Sequence, residues 1–439
     1  MKVSLCGLGK LGLCLAACIA DSGIDVIGID IEKKIVASVN SGIAPWYEPG
    51  LQKLLDKVAD HGLIATTQHK LAIEETDLTI ILVATPSMPD GSFSNRFIES
   101  VLETLGAILA DSTKLNHTFV ISSTVMPGSI EKFVGIIERS SKRKLNEGFT
   151  ICYDPDFVAL GNVIEGFRRP DMLVIGESKS GAGDLLINLH MGFWNAAPEN
   201  YPLIARMSIV DSELAKVCLN AYVTMKISFA NFLGMMCERI PTANAHAIAN
   251  AIGADKRISP HYFRPGLSFG GTCFPRDVKA FTTVAETYGM DTALIDAVSQ
   301  INISRQSLLS DIVMMHVESR RIGILGTAFT ANTPVITESP AIHLIEDLLR
   351  YDCDVFVYDR FALDVTRQLL GSAVNYCGSV NDCIENVDMV VLMHRDRSLV
   401  EELKQTLKEK KDLIIIDCWD ICNFDIPNIR IVKLGQYQE

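Results

Sequence analysis

The most constraining stretch of this chain is its start. Lys2-Val3-Ser4-Leu5-Cys6 reads as a short buried strand, and Gly7-Leu8-Gly9-Lys10-Leu11-Gly12 follows it directly. Leu13 to Asp21 continues as an Ala, Leu and Cys-rich helix, Ser22-Gly23 stops it, and Asp25-Val26-Ile27-Gly28-Ile29-Asp30 makes a second strand ending in a carboxylate. Each glycine at this spacing has its own task. Gly7 makes the turn, Gly9 lets backbone approach a pyrophosphate, and Gly12 packs helix against strand. Free amides at the helix N-terminus hold phosphates. Asp30 ends the second strand, where a carboxylate hydrogen-bonds both hydroxyls of an adenosine ribose and repels a 2′-phosphate. The unit predicts a doubly wound α/β domain that takes NAD rather than NADP, through Gly7, Gly9, Leu11, Gly12 and Asp30.

Further strands extend that domain. Leu78 to Val83 ends at Ala84-Thr85-Pro86, and Phe119 to Ser122 ends at Ser123-Thr124. Ligands of open α/β sheets bind beyond the carboxyl ends of strands, so Thr85 and Thr124 are candidates to face the cofactor, or else simple strand-end caps. Ile151 to Tyr153 leads into Asp154-Pro155-Asp156-Phe157, where the acids are either turn chemistry or functional. Met172 to Ile175 is one more strand.

From Ser208 to Glu238 the pattern becomes one long helical run containing only Gly234 as a breaker, with Asp211, Ser212 and Glu213 suiting its start. Lys216 and Asn220 lie one turn apart on one face. Lysines are usually solvated, but Lys216 is flanked by Leu214, Val217, Cys218 and Leu219, which makes it a candidate partner for an oxyanion or carboxylate. A helix this long and apolar is expected to be buried on several sides, as interdomain spine and subunit interface.

Phe269-Gly270-Gly271-Thr272-Cys273-Phe274-Pro275-Arg276-Asp277 places a thiol in a glycine-floored turn, close to a cation and a carboxylate. Glycines allow close approach to a nucleophile, and neighbouring cations favour thiolates. A tight turn around a buried cysteine is the plainer alternative. Helical pattern resumes from Val278 to about Val317. Arg320 to Gly326 then opens another α/β unit, with strands at Asp354 to Tyr358, Met389 to Met393 and Leu413 to Ile416. Its second strand again ends in an acid, Asp359, yet Gly326-Thr327-Ala328-Phe329 lacks the three-glycine turn, so this repeat of the first fold need not hold a dinucleotide.

At 439 residues, two or three domains are expected. A formal charge of -13 argues against nucleic acid or an anionic membrane as partner. No apolar run reaches spanning length, and glycines with Lys10 interrupt the first twenty residues too often for a signal peptide. The twelve cysteines form no CxxC pair and no histidine cluster has zinc-like spacing, so no metal is expected and a reducing cytoplasm fits best.

Taken together these motifs resemble the UDP-glucose/GDP-mannose 6-dehydrogenase family over essentially the whole chain. The match rests on the first glycine turn, Tyr47-Glu48-Pro49-Gly50, Ser123-Thr124-Val125, Pro155-Asp156-Phe157, Ser212-Glu213-Leu214-Ala215-Lys216 with Asn220, and above all Gly270 to Asp277. The resemblance implies two Rossmann-like domains joined by a long-helix dimerisation core, with boundaries at 1–204, 205–305 and 306–439, assembled as a homodimer or larger. It implies oxidation of the C6 alcohol of a nucleotide sugar to the uronic acid with two NAD and one water, UDP-glucose being the first choice and GDP-mannose or a UDP-HexNAc the alternatives. Cys273 would carry the thiohemiacetal and thioester. Lys216 and Asn220 would stabilise oxyanions, Asp277 and Asp156 would serve water, and Thr124 would support water and nicotinamide. Phe157, Tyr262, Gly270 and Phe329 would line the substrate pocket, and Arg257 would reach substrate across the dimer.

The chain departs from the family pattern at several points. A glutamate is shortened to Asp156 and a second acid is replaced by Leu160. Basic residues expected near the phosphates or the partner nucleotide are replaced by Thr330, Thr337 and the Trp419-Asp420 pair. Slowed thioester hydrolysis, altered base choice, or a protein that binds NAD and sugar nucleotide without turnover are the outcomes these changes raise.

Overall fold

The computed structural model describes residues 1–58, 61–317, 319–407 and 412–438. It divides into two compact units, Met1–Leu219 and Asn220–Glu439. The boundary falls inside the 29-residue helix Ile209–Cys237.

The first unit is built on β1 (Lys2–Cys6), β2 (Asp25–Ile29), β3 (Leu63–Thr66), β4 (Leu78–Ile81), β5 (Thr118–Ile121), β6 (Thr150–Tyr153), β7 (Met172–Glu177) and β8 (Leu203–Ser208), in the sheet order β3-β2-β1-β4-β5-β6-β7-β8. Every neighbouring pair is parallel except β6 with β7. Strands β4, β5 and β6 are buried along their whole length, as a parallel strand covered on both faces must be. Helix Lys10–Asp21 is buried continuously from Gly12 to Ala20, which its all-round apolar sequence allows. The order in which strands are added reverses between β1 and β4, the switch point at which such sheets bind nucleotides.

The second unit repeats this winding with β9 (Arg321–Leu325), β10 (Asp354–Tyr358), β11 (Asn375–Tyr376), β12 (Met389–Leu392), β13 (Leu413–Asp417) and β14 (Ile429–Lys433), ordered β11-β10-β9-β12-β13-β14 and wholly parallel. Its helical part corrects one expectation. The pattern from Val278 to Val317 is two helices, Phe274–Thr287 and Ala293–His316. Gly289 takes φ +68 after the first, and Asp291 accepts the Ala293 amide at 2.8 Å to start the second. Pro275 stands in the first turn of Phe274–Thr287, where its missing N–H costs nothing.

The long helix is only partly buried within the single chain. Thr224, Ser228, Ala230 and Asn231 are buried, but Tyr222, Phe229, Phe232 and Met236 stand 45% or more exposed in the single chain. Their spacing places them on one stripe.

Candidate active site

The cradle at the start of the chain fits a dinucleotide. Gly7 has φ +101, and a Cβ there would lie 2.3 Å from the Leu82 carbonyl oxygen. A Cβ on Gly12 would lie 1.9 Å from the Gly7 oxygen, whereas one on Gly9 would meet nothing within 4 Å. The first and third glycines are therefore demanded by the protein's own packing, and the space over the second is open. Gly9 caps helix Lys10–Asp21 without any side-chain bond, which leaves the first-turn amides available to phosphate. Asp30 accepts from the Leu8 amide at 2.8 Å and the Glu32 amide at 2.9 Å, retaining lone pairs for ribose hydroxyls. Leu11 packs on the adjoining apolar cluster. Thr85 is buried at the end of β4. Ser123, just past β5, ties that strand end to the segment after β4 by donating to the Val83 oxygen at 2.7 Å and accepting from its amide at 2.9 Å, which sets Thr124 just beyond the strand end.

The second crevice of this kind is closed. Asp359 ends β10 as Asp30 ends β2, but its oxygens accept from Thr327, Ala328, Phe361 and Ala362 amides at 2.7 to 3.0 Å. The His394 ring fills the place a Cβ of Gly326 would take, and its Nε2 donates to the Ala328 oxygen at 2.9 Å. The space left is about 20 Å³.

Within the first unit, the Asp156-Phe157 turn meets Lys216. The Lys216 ammonium donates to the Asp156 carbonyl oxygen and lies 5.0 Å from the centre of the Phe157 ring. Asp156 Oδ2 is shielded from solvent and has no hydrogen-bond partner among the described residues. Burial, reinforced by the neighbouring Asp154 and opposed by Lys216, pushes the Asp156 carboxyl up to about 8. Asp154 itself is tied to His190 at 2.8 Å. Leu160 packs on the apolar cluster, so the position carries no second acid.

Two motif acids have structural work that the sequence does not announce. Glu213 accepts the Gly128 and Ile130 amides at 2.6 and 2.8 Å, capping helix Ser129–Ser141. Glu48 accepts the Gly161 and Val163 amides at 3.1 and 2.9 Å, holding the segment after Phe157. A carboxylate one turn before Lys216 was the available signal for the first; nothing local marks the second.

Within the second unit the cysteine loop is held from below. Cys273 is the exposed N-cap of helix Phe274–Thr287, where free amides favour negative charge. Asp277, buried to 1% in the first turn, accepts from Asn220 Nδ2 at 2.6 Å and from Arg276 Nε at 3.1 Å. Gly271 takes φ +83, and a Cβ there would strike the Phe329 ring at 2.6 Å; one on Gly270 would lie 1.9 Å from the Glu338 oxygen. The loop before it is fixed by Asn231, which accepts from the Gly266 amide and donates to the Leu267 oxygen, and by buried Arg305, which donates to the Gly266 oxygen and pairs with Glu238. Sequence reasoning missed both residues, since neither differs locally from any polar helix residue.

Tyr262, with φ 59, sets its ring edge-on to Phe274. Arg257 joins none of these networks; its guanidinium pairs with Asp255 and its side chain is 87% exposed.

Three segments match models of the UDP-glucose/GDP-mannose dehydrogenase family: the NAD binding domain over residues 1–194, the central domain over 210–304 and the UDP binding domain over 323–424. The UDP-glucose 6-dehydrogenase AglM of Haloferax volcanii is 32% identical over 420 residues, covering 95% of this chain and 96% of that protein. The GDP-mannose 6-dehydrogenase of Pseudomonas putida is 32% identical over 410 residues, covering 90% and 91%. A UDP-glucose dehydrogenase from Pyrobaculum islandicum superposes with a TM-score of 0.87 at 28% identity, covering 100% of this chain and 98% of that one. The class is thus an NAD-dependent nucleotide-sugar dehydrogenase with two Rossmann-like domains. The chain belongs to the UDP-glucose/GDP-mannose dehydrogenase family.

Proposed function

We propose that the protein oxidises C6 of a nucleotide sugar to the carboxylate in two NAD-dependent steps, with UDP-glucose as substrate. The observation that carries this is the exposed Cys273 thiol set at a helix N-terminus, one turn from an Asp277 carboxylate held by Asn220 and Arg276. A protein that only bound its ligands would need no such arrangement.

When bound, NAD supplies the hydride acceptor for each oxidation, and Gly7, Gly9, Leu11, Gly12, Asp30, Thr85 and Thr124 would hold it. The chain's own residues do the rest. Cys273 Sγ adds to the C6 carbonyl carbon of the aldehyde, and the carbonyl electron pair moves to oxygen as the thiohemiacetal forms. Loss of hydride from that carbon leaves the thioester. Water then attacks the acyl carbon, the S–C bond breaks, and sulfur leaves as thiolate. Lys216 and Asn220 stabilise the oxyanions with preorganised N–H donors. Asp277 or Asp156 takes the proton of the attacking water. Phe157, Tyr262, Gly270 and Phe329 shape the substrate pocket, with Arg257 contributed across a dimer.

A GDP-mannose substrate is the second reading, favoured by the equal identity to the Pseudomonas putida enzyme. Purified protein with NAD and a panel of UDP- and GDP-sugars, followed at 340 nm, separates the two. About two NADH per acid with one sugar names the substrate. A single burst means the thioester is not hydrolysed. No NADH with any sugar, despite NAD binding, sinks the enzyme assignment. Cys273→Ser should abolish acid formation.

A further inference from the structure

Helix Asp184–Phe193 carries a histidine that the chemistry above leaves unused. His190 is 7% exposed, and its ring packs against Phe193 and Trp194, with centroids 5.1 and 6.0 Å away. Its Nε2 lies 2.8 Å from Asp154 Oδ2, and Asp154 is only 3% exposed. A carboxylate can only accept, so the ring nitrogen facing it carries the proton. The pair sits out of water just past β6, with only Pro155 between Asp154 and Asp156.

Such a pair has a physical purpose. A carboxylate buried without a donor or cation takes up a proton instead of keeping its charge. His190 supplies the donor that lets Asp154 stay ionised. That charge in turn faces Asp156, whose Oδ2 is shielded from solvent and has no hydrogen-bond partner among the described residues. The groups acting on Asp156 come from three elements of the first unit. Asp154 past β6 opposes its ionisation, Lys216 on the long helix favours it, and His190 on helix Asp184–Phe193 reaches it through Asp154. Two like charges this close do not both form freely away from water. The state of Asp154 therefore decides when Asp156 ionises.

We propose that His190 is a positioning residue for the hydrolytic step. Its Nε2–H holds Asp154 as the carboxylate, and that fixed charge sets the pH at which Asp156 ionises and becomes a base. The proposal rests on the reading of Asp156 as a group that takes a proton from water, but the link to His190 can be read without turnover.

The test follows melting temperature against pH for the full chain, each variant being paired with its Asp156→Asn counterpart so that the difference isolates Asp156. In wild type that difference should fall away as pH rises through about 8. Asp154→Asn still accepts from the ring but carries no charge, so the fall should move down by about one pH unit or more. His190→Phe keeps a ring against Phe193 and Trp194 but removes the donor; Asp154 then takes a proton, and the fall should move the same way. Combined with Asp154→Asn, His190→Phe should move it no further. His190→Gln, which offers an amide N–H, should restore the wild-type profile. A histidine that only packs the helix would lower the melting temperature without moving the fall. That result overturns the proposal, as does an equal further shift in the Asp154→Asn background. Should His190→Phe not fold, Asp154→Asn decides: a fall left near pH 8 overturns the proposal. Single-turnover hydrolysis gives the second readout. A rate limb that moves with the melting profile supports the whole proposal, whereas a limb that stays while the profile moves supports the His190 link and sinks the base reading of Asp156.

Discussion

Single residues set two testable properties. Asp156 is held protonated by burial and by Asp154, with its titration near pH 8. In the proposed role of base it would work only when ionised, so thioester hydrolysis should accelerate as pH rises through about 8, and Asp156→Asn should remove that limb in single-turnover assays. The stability consequence has the opposite sign. A carboxyl raised above its unfolded value of 3.8 contributes fully below that value, and the contribution is lost as pH rises through about 8. Asp156→Asn should therefore flatten the fall in melting temperature between those limits. The glycine turn supplies a second pair of outcomes. Gly12→Ala drives a Cβ into the Gly7 oxygen and should cost roughly 1–3 kcal/mol of stability. Gly9→Ala meets nothing in the protein, so stability should hold while NAD affinity, measured by calorimetry, falls by about tenfold. Glycine spacing was readable along the chain. Which glycine answers to the protein and which to the ligand depended on what lies above each one.

At the scale of elements, helix ends position the chemistry. Glu213 closes the N-terminus of Ser129–Ser141 from a helix in which Lys216 stands one turn later. Its burial raises its carboxyl, while the amides it caps pull the other way. Glu213→Ala should cost about 1–2 kcal/mol, read as a melting temperature lower by about 2–8 °C for a unit of this size, and should disturb Lys216 without touching it. The long helix, the strands and the Cys273 turn were legible from periodicity and punctuation. The break at Gly289 was not, because an isolated glycine in a helical pattern can be tolerated, and only the new start at Asp291 decides the matter.

For the whole molecule, the exposed stripe of Tyr222, Phe229, Phe232 and Met236 leaves four large apolar side chains in water along one helix face. A homodimer or larger assembly should cover it, giving at least twice the 48.2 kDa chain mass in light scattering. Phe229→Asp combined with Phe232→Asp should shift the mass toward the single chain. A wild-type monomer at micromolar concentration would remove this explanation.

The linear chain determined the two doubly wound sheets, the NAD cradle and the glycine-floored turn that carries Cys273, because turns, strand periods and helix starts are local and need few neighbours to be recognised. Tertiary structure alone decided the rest. It turned Glu48 and Glu213 into caps, left the Asp156 carboxyl unpartnered, closed the second crevice with His394, and set His190 against Asp154. Each of those depends on burial and on through-space charge, which residues far apart in sequence acquire only when the chain has folded.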